Sequence, residues 1–378
     1  MTLAIVVFLL ACVTLLYVIA GYPVLLGLVA RLTARPPQRD ASEPSISVVI
    51  AVFNGEQYLA DKLRWVLAVD YPKERMEILV VSDGSTDRTD EIAGEFASSG
   101  VRLLRVPRGG KPAALNAAIP EARGEILVLT DVRQALANDC FRKLVARFAD
   151  PKVGVVSGEL LIRSGSSAEE AQIGLYWRLE SWIRDRLSAI DSMFGATGPI
   201  YAMRRELAVP IPPDTLLDDM YLPLAAFFRG YRLVMESGAI AYDYPTSIDT
   251  EFRRKVRTLA GNYQILRSYP GLLGFGNRMW WHFLSYKVGR LVLPWALLAA
   301  AISACFLPDP WRWYALGVQG VGYLGAAVDP WLPTRFPLRR LTSPARTFLV
   351  MMVAAVRGLS VFFVPARSLW KVTSASRE

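Results

Sequence analysis

The first thirty residues contain no charged side chain. A helix needs ~20 apolar residues to cross the hydrocarbon core of a bilayer, so this end of the chain is suited to lipid rather than water. A cleaved signal peptide fits less well: no basic segment precedes the run, the run is too long, and no clear small-residue cleavage site follows. The expectation is a retained anchor over residues 1–33. Arg31, Arg35 and Arg39 come directly after it, and the preference of basic residues for the cytosolic side places the next segment in the cytosol. Composition agrees, since 53% of the 378 residues are hydrophobic, more than a wholly soluble protein needs.

A second apolar region follows Arg290. Stretches 291–307, 313–328 and 347–365 are each candidate spans, giving three or four in all with the anchor. Arg335, Arg339, Arg340 and Arg346 form one basic cluster, and Arg367, Lys371 and Arg377 another in the tail at 367–378. Both cannot face the cytosol if one complete span separates them. Arg357, in the middle of the last stretch, suits an interfacial or re-entrant segment, so residues 291–366 are read as transmembrane or re-entrant. Just before them, residues 271–290 are expected to form an amphipathic interfacial helix. There Trp280, Trp281 and Tyr286 are interspersed with Arg278, Lys287 and Arg290, the mixture found at headgroup depth.

The net charge of +9 is concentrated beside the apolar runs. It is therefore read as attraction to anionic membrane lipids, with no nucleic-acid partner expected. Cys12, Cys140 and Cys305 lack metal-ligand spacing and read as packing residues in a reducing compartment. The single histidine, His282, excludes a multi-histidine metal site and a Ser-His-Asp triad.

Between about 44 and 270 the pattern changes. "ISVVIAVF" (46–53), "MEILVVS" (76–82), "VRLLRVP" (101–107) and "EILVLTD" (125–131) are apolar, β-branched runs separated by helical stretches such as "EQYLADKLRWVLA" (56–68). Continuous apolar strands alternating with helices indicate an α/β fold with a mostly parallel sheet covered on both faces. Ligands of such sheets bind beyond the carboxyl ends of the strands. Three of those ends are polar: Phe53-Asn54, Ser82-Asp83-Gly84-Ser85 and Thr130-Asp131. Each alone could be only a turn or a helix cap, but together they mark one edge as a site.

Seven ordered blocks carry a resemblance. They are "SVVIAVFNGEQYL" (47–59), "VVSDGSTDRT" (80–89), "RGGKPAALNAAI" (108–119), "VLTDVRQ" (128–134), "GATGPIYAMRREL" (195–207), "LLDDMYLPL" (216–224) and "RRKVRTLAGNYQ" (253–264). In order and spacing the chain resembles a membrane-anchored, inverting family 2 glycosyltransferase of the GT-A fold, over roughly residues 45–295. The resemblance implies a UDP-sugar donor bound by Phe53, Asn54, Asp83, Lys111, Asp131 and Arg257. Asp219 would be the general base, with Gly198, Asp218 and Arg254 on the acceptor side. It further implies a divalent metal, Mg or Mn, at Asp131, and a lipid-linked or glycan acceptor. The setting would be the cytosolic face of the inner or plasma membrane, in cell-envelope polysaccharide or glycolipid synthesis. The catalytic domain is expected over 44–270.

Two positions depart from the family's pattern. Where an Asp-x-Asp pair is usual, the second place holds Arg133, which cannot ligate a cation and either turns outward or pairs with diphosphate or a nearby acid. Where processive members carry Gln-x-x-Arg-Trp, this chain has Arg254-Lys255-Val256-Arg257-Thr258. The missing tryptophan favours single addition over extrusion of a long polymer. A processive synthase and a catalytically silent nucleotide-sugar binder are the alternatives, and the oligomeric state is open.

Overall fold

The computed structural model describes residues 2–162, 168–243, 248–333 and 336–369. The chain divides into two compact units. One comprises Ala30–Arg163 with Ser181–Tyr244, and the other Met1–Val29, Ser164–Glu180 and Pro245–Glu378.

The first unit is built on one eight-stranded sheet. Its strands are β1 (Ile46–Val52), β2 (Met76–Asp83), β3 (Val101–Val106), β4 (Ile126–Thr130), β5 (Ala135–Leu136), β6 (Val153–Ile162), β7 (Ile200–Arg204) and β8 (Arg232–Asp243). Their order is β3-β2-β1-β4-β7-β6-β8-β5. The first four are parallel neighbours, as the apolar runs predict. Beyond β4 the sheet turns mixed: β7 lies antiparallel between β4 and β6, and β6 pairs with β8 in parallel. Three strands of the parallel half, β1, β2 and β4, are largely buried; Val48, Ile50, Val80, Ile126 and Val128 expose 2% of their surface or less. Burial on both faces is the reason these strands read as continuous apolar runs rather than as an alternation. β1 is the first strand, with β2 on one side and β4 on the other, so the chain reverses its direction of travel there. Such a switch point opens a crevice at the strands' carboxyl ends.

The second unit is helical. Among the described residues, three helices are long and apolar enough to cross a membrane: Thr2–Thr33, Trp280–Ala304 and Arg339–Phe362. The stretch expected as a separate interfacial helix does not stop at Arg290. From Trp280 it runs on through a π-helical turn, Leu284–Val288, into Gly289–Ala304. Its aromatic end is tied to the first helix, since Trp281 Nε1 donates to Tyr17 Oη at 2.9 Å and Tyr22 Oη lies 3.2 Å from His282 Nδ1. His282 is thus a buried packing residue. Stretch 313–328 lies in the helix Trp311–Val328, which also carries Arg312 and is not among the three long and apolar enough to cross. Residues 248–268, grouped by the sequence with the catalytic domain, form a helix of this second unit. That helix packs on the last apolar helix through Leu259, Tyr263, Ala354 and Ala355. A Cβ on Gly358 would lie 3.0 Å from the Ala260 nitrogen, so the close crossing of the two helices requires a glycine there. Leu10, Val13 and Leu16 each expose more than half their surface, an arrangement suited to a lipid surround.

Candidate active site

The carboxyl ends of β1, β2 and β4 are stitched together by short polar links. Asn54 adopts the left-handed conformation (φ 47°) directly after β1, a region in which asparagine is favoured among side-chain-bearing residues. Its backbone N–H donates to Ser85 Oγ at 3.1 Å, and its Oδ1 accepts from the Thr86 N–H at 2.8 Å. Next along the chain, the Gly55 N–H donates to Thr89 Oγ1 at 2.8 Å. The β1 and β2 loops are therefore one polar surface.

Asp83, at the end of β2, is 2% exposed. Its carboxylate accepts from the N–H groups of Gly109 (2.7 Å) and Gly110 (2.9 Å) and ion-pairs with Arg108. The Arg108 guanidinium in turn lies 3.7 Å from the centre of the Phe53 ring, a cation–π contact. A Cβ on Gly84 would come within 2.8 Å of the Arg108 nitrogen, and Gly84 has φ 65°; the turn needs glycine on both counts. Asp83 thus fixes the Arg108–Gly110 turn that starts the helix Lys111–Glu121.

Lys111, the first residue of that helix, reaches two acids. Its Nζ is 2.8 Å from Asp131 Oδ1, at the end of β4, and 3.1 Å from Asp218 Oδ2. Burial would lower its pKa, but Asp131, Asp218 and Asp219 outweigh burial and raise it above the ordinary lysine value. Asp218 and Asp219 open the helix Asp218–Phe228, where the helix dipole favours negative charge. Asp218, expected on the acceptor side, makes an ion pair with Lys111. Gly198 completes the pocket: a Cβ there would lie 3.0 Å from Asp219 Oδ2 and 3.6 Å from Asp131 Oδ2. The two carboxylates therefore face a common space that exists because residue 198 has no side chain.

The Gly195–Gly198 loop is held from behind. The Ala196 N–H donates to the Asp219 carbonyl at 2.7 Å. Arg184 donates to Thr197 Oγ1 at 2.6 Å and to Ser157 Oγ at 2.9 Å. Arg204 and Arg205 bind backbone carbonyls of Val153, Phe148 and Gly124 and so serve as internal ties. Under the pocket lies Tyr201, fully buried, whose hydroxyl has no hydrogen-bond partner among the described residues. Burial first, and then the charges of Asp218, Asp219 and Asp131, hold this phenol well above its usual pKa.

Arg133 is committed elsewhere. Its Nη2 donates to Asp243 Oδ2, at the end of β8, at 2.5 Å, and Gln134 Nε2 donates to the same oxygen at 3.0 Å. Of the three alternatives for this side chain, pairing with a nearby acid is the one the structure shows. Arg254 and Arg257 lie on the helix Ile248–Ser268 of the other unit.

Sequence reasoning missed Lys62. This lysine is fully buried, and its Nζ donates to Thr130 Oγ1 at 2.7 Å and to the Gln134 carbonyl at 2.9 Å, the two ends of the turn that carries Asp131. Thr130 Oγ1 passes the link on to the Pro199 carbonyl at 2.6 Å. Burial pulls the lysine's pKa down to about 7, against the opposing charges of Asp131 and Cys140. A signal existed: Leu59, Lys62, Leu63 and Val66 share the buried face of one helix, so at helical spacing a lysine stands among core residues.

Among the described residues, no three His, Cys, Asp or Glu side chains are grouped to hold a metal by themselves. The oxygens that face the Gly198 space nevertheless suit a hard divalent cation, which commonly takes one or two protein carboxylates and fills its other positions with phosphate oxygens and water. The residues fit a metal that arrives with a diphosphate.

Comparison with known proteins agrees with this geometry. Residues 47–209 match the glycosyl transferase family 2 model. The chain is 24% identical to a β-monoglucosyldiacylglycerol synthase of Trichormus variabilis, with 71% of this chain and 60% of the relative aligned. It is 25% identical to a poly-β-1,6-N-acetyl-D-glucosamine synthase of Staphylococcus aureus, over 58% of this chain and 55% of that protein. The chain thus spans about 60% of the length of the curated relatives it matches. In structure it is similar to the mannosyltransferase PcManGT from Pyrobaculum calidifontis, solved with GDP-Man and Mn2+. The TM-score is 0.73 at 21% identity, covering 94% of this chain and 99% of that one. Residues 47–209 are thus similar to family 2 glycosyltransferases, and the chain shares the fold of that mannosyltransferase.

Proposed function

We propose that this protein is an inverting transferase that moves a sugar from a UDP-sugar to a lipid-linked or glycan acceptor at the cytosolic face of the membrane. The observation that carries the reading is the gathering of Lys111, Asp131, Asp218 and Asp219 around the bare Gly198 at the carboxyl edge of the sheet. On this reading the base lies near Phe53, Asn54 and Asp83. Lys111 donates to the diphosphate. Asp131 would hold Mg or Mn, which when bound offsets the charge that builds on the departing diphosphate.

Asp219 does the proton chemistry. The acceptor hydroxyl gives its proton to the Asp219 carboxylate as its oxygen attacks the anomeric carbon. The bond from that carbon to the diphosphate oxygen breaks, UDP leaves with the electron pair, and in-line displacement inverts the anomeric centre. Asp219→Asn is expected to lower transfer by roughly 10²–10⁴-fold, the usual worth of a positioned base, while UDP binding by calorimetry stays within threefold. Unchanged transfer with bound donor would remove Asp219 from this role. Screening several UDP-sugars for UDP release with extracted membrane lipids identifies the donor and the acceptor.

Similarity to a polymer synthase supports a second reading, a processive enzyme. Thr258 in place of the tryptophan, and three apolar helices among the described residues, support single addition. Product length from labelled donor decides between them: one added sugar or a ladder.

A further inference from the structure

Lys111 stands where the pocket's protein oxygens are nearest to a cation. Its ammonium spans Asp131 Oδ1 at 2.8 Å and Asp218 Oδ2 at 3.1 Å, with Asp218 almost fully buried. The buried Tyr201 hydroxyl, close to the same acids, has no partner among the described residues. The ammonium has two opposing effects here. It neutralises part of the charge of three carboxylates, and it repels any second cation that approaches the same oxygens. A divalent ion bound at ~2.1 Å from an Asp131 oxygen and an ammonium 2.8 Å from that carboxylate would be like-charged neighbours at close range, where Coulomb repulsion opposes holding both.

We propose that Lys111 guards the metal position: in the donor-free protein it bridges Asp131 and Asp218 against a divalent cation, and only an incoming diphosphate draws it off, so metal and nucleotide load together. The anionic oxygens of a nucleoside diphosphate are the group able to take the ammonium from Asp131. A metal arriving alone meets both a filled bridge and a positive charge. A metal arriving with the diphosphate meets carboxylates that have been vacated and brings its remaining ligands with it. This inference rests on the pocket being the donor site.

The test reads metal binding directly. Free Mn2+ is followed by electron paramagnetic resonance as it is titrated into the purified full-length protein, with and without UDP. Wild type is expected to bind Mn2+ weakly alone and roughly tenfold or more tighter with UDP. Lys111→Met is expected to bind Mn2+ roughly tenfold or more tighter than wild type without nucleotide, and to lose most of the dependence on UDP. Tight Mn2+ binding by wild type alone, or unchanged or weaker binding by Lys111→Met, overturns the guard. Lys111→Gln is the second variant should the methionine protein fail to fold, and the wild-type comparison stands without either. Asp131→Asn separates the two levels: if it leaves Mn2+ and UDP binding intact, the donor-site reading itself fails. If it abolishes Mn2+ binding while the Lys111 variants do not tighten it, only the guard fails.

Discussion

Two lysines flank the turn that carries Asp131, and their surroundings differ. In front, Lys111 meets three carboxylates, which raise its pKa above the ordinary value. Behind, Lys62 meets a hydroxyl and a carbonyl, and burial brings its pKa down to about 7. Lys62 is fully buried and the Lys111 side chain 20% exposed; what sets their proton affinities apart is the charge of the nearest partners. A buried cation beside anions stays a cation, while one beside neutral dipoles loses most of its preference for the proton. The front of the strand end is therefore a place for charge exchange with a ligand, and the back is a brace built on neutral partners.

The largest effect that sharpens this contrast is expected at Arg133. Restoring an Asp-x-Asp spacing with Arg133→Asp does not create a better metal site, because the new acid would face Asp243. Breaking a buried pair costs about 3–5 kcal/mol, so the thermal midpoint falls and Mn2+ affinity does not rise; a stable variant with tighter Mn2+ binding would contradict this.

Next comes Lys62. Its folded pKa of about 7 lies below the unfolded lysine value of 10.5, so between these limits the unfolded chain binds more protons and stability rises with pH. From pH 7 to 9 the gain is roughly 2 kcal/mol, and below pH 7 this contribution flattens because both states are protonated. Lys62→Met removes the slope. Thermal midpoints of both proteins across that window give the difference, and parallel curves would show that Lys62 keeps its proton. The smallest effect belongs to Gly198→Ala. A methyl group 3.0 Å from Asp219 Oδ2 intrudes on the space shared by the two carboxylates, and donor turnover is expected to fall roughly tenfold, about 1.4 kcal/mol. The thermal midpoint should barely move, because the pocket is not part of the core.

The parallel half of the sheet was legible because each of its strands is a local apolar run with its own polar end. β6, β7 and β8 were not read from the sequence: their pairing brings Val155 beside Met203 and Leu233, contacts that no local pattern encodes. The same holds within the site. Asp83, Lys111, Asp131 and Asp219 stand at strand or helix ends, where sequence shows them; Asp243 answers Arg133 from 110 residues away. Tyr201 lay inside a recognised block, but its buried hydroxyl under three acids emerges only when β7 is placed beside β4. Lys62 was hidden by treating an amphipathic helix as wholly conventional.

The tie between Arg133 and Asp243 also sets the electrostatic load of the ligand-free protein. An arginine after Asp131, turned to the far end of β8, neutralises Asp243 there and leaves the three acids of the pocket to Lys111. The positive charge that meets a ligand in the crevice is therefore that of Lys111, and that of Arg133 is spent on the scaffold.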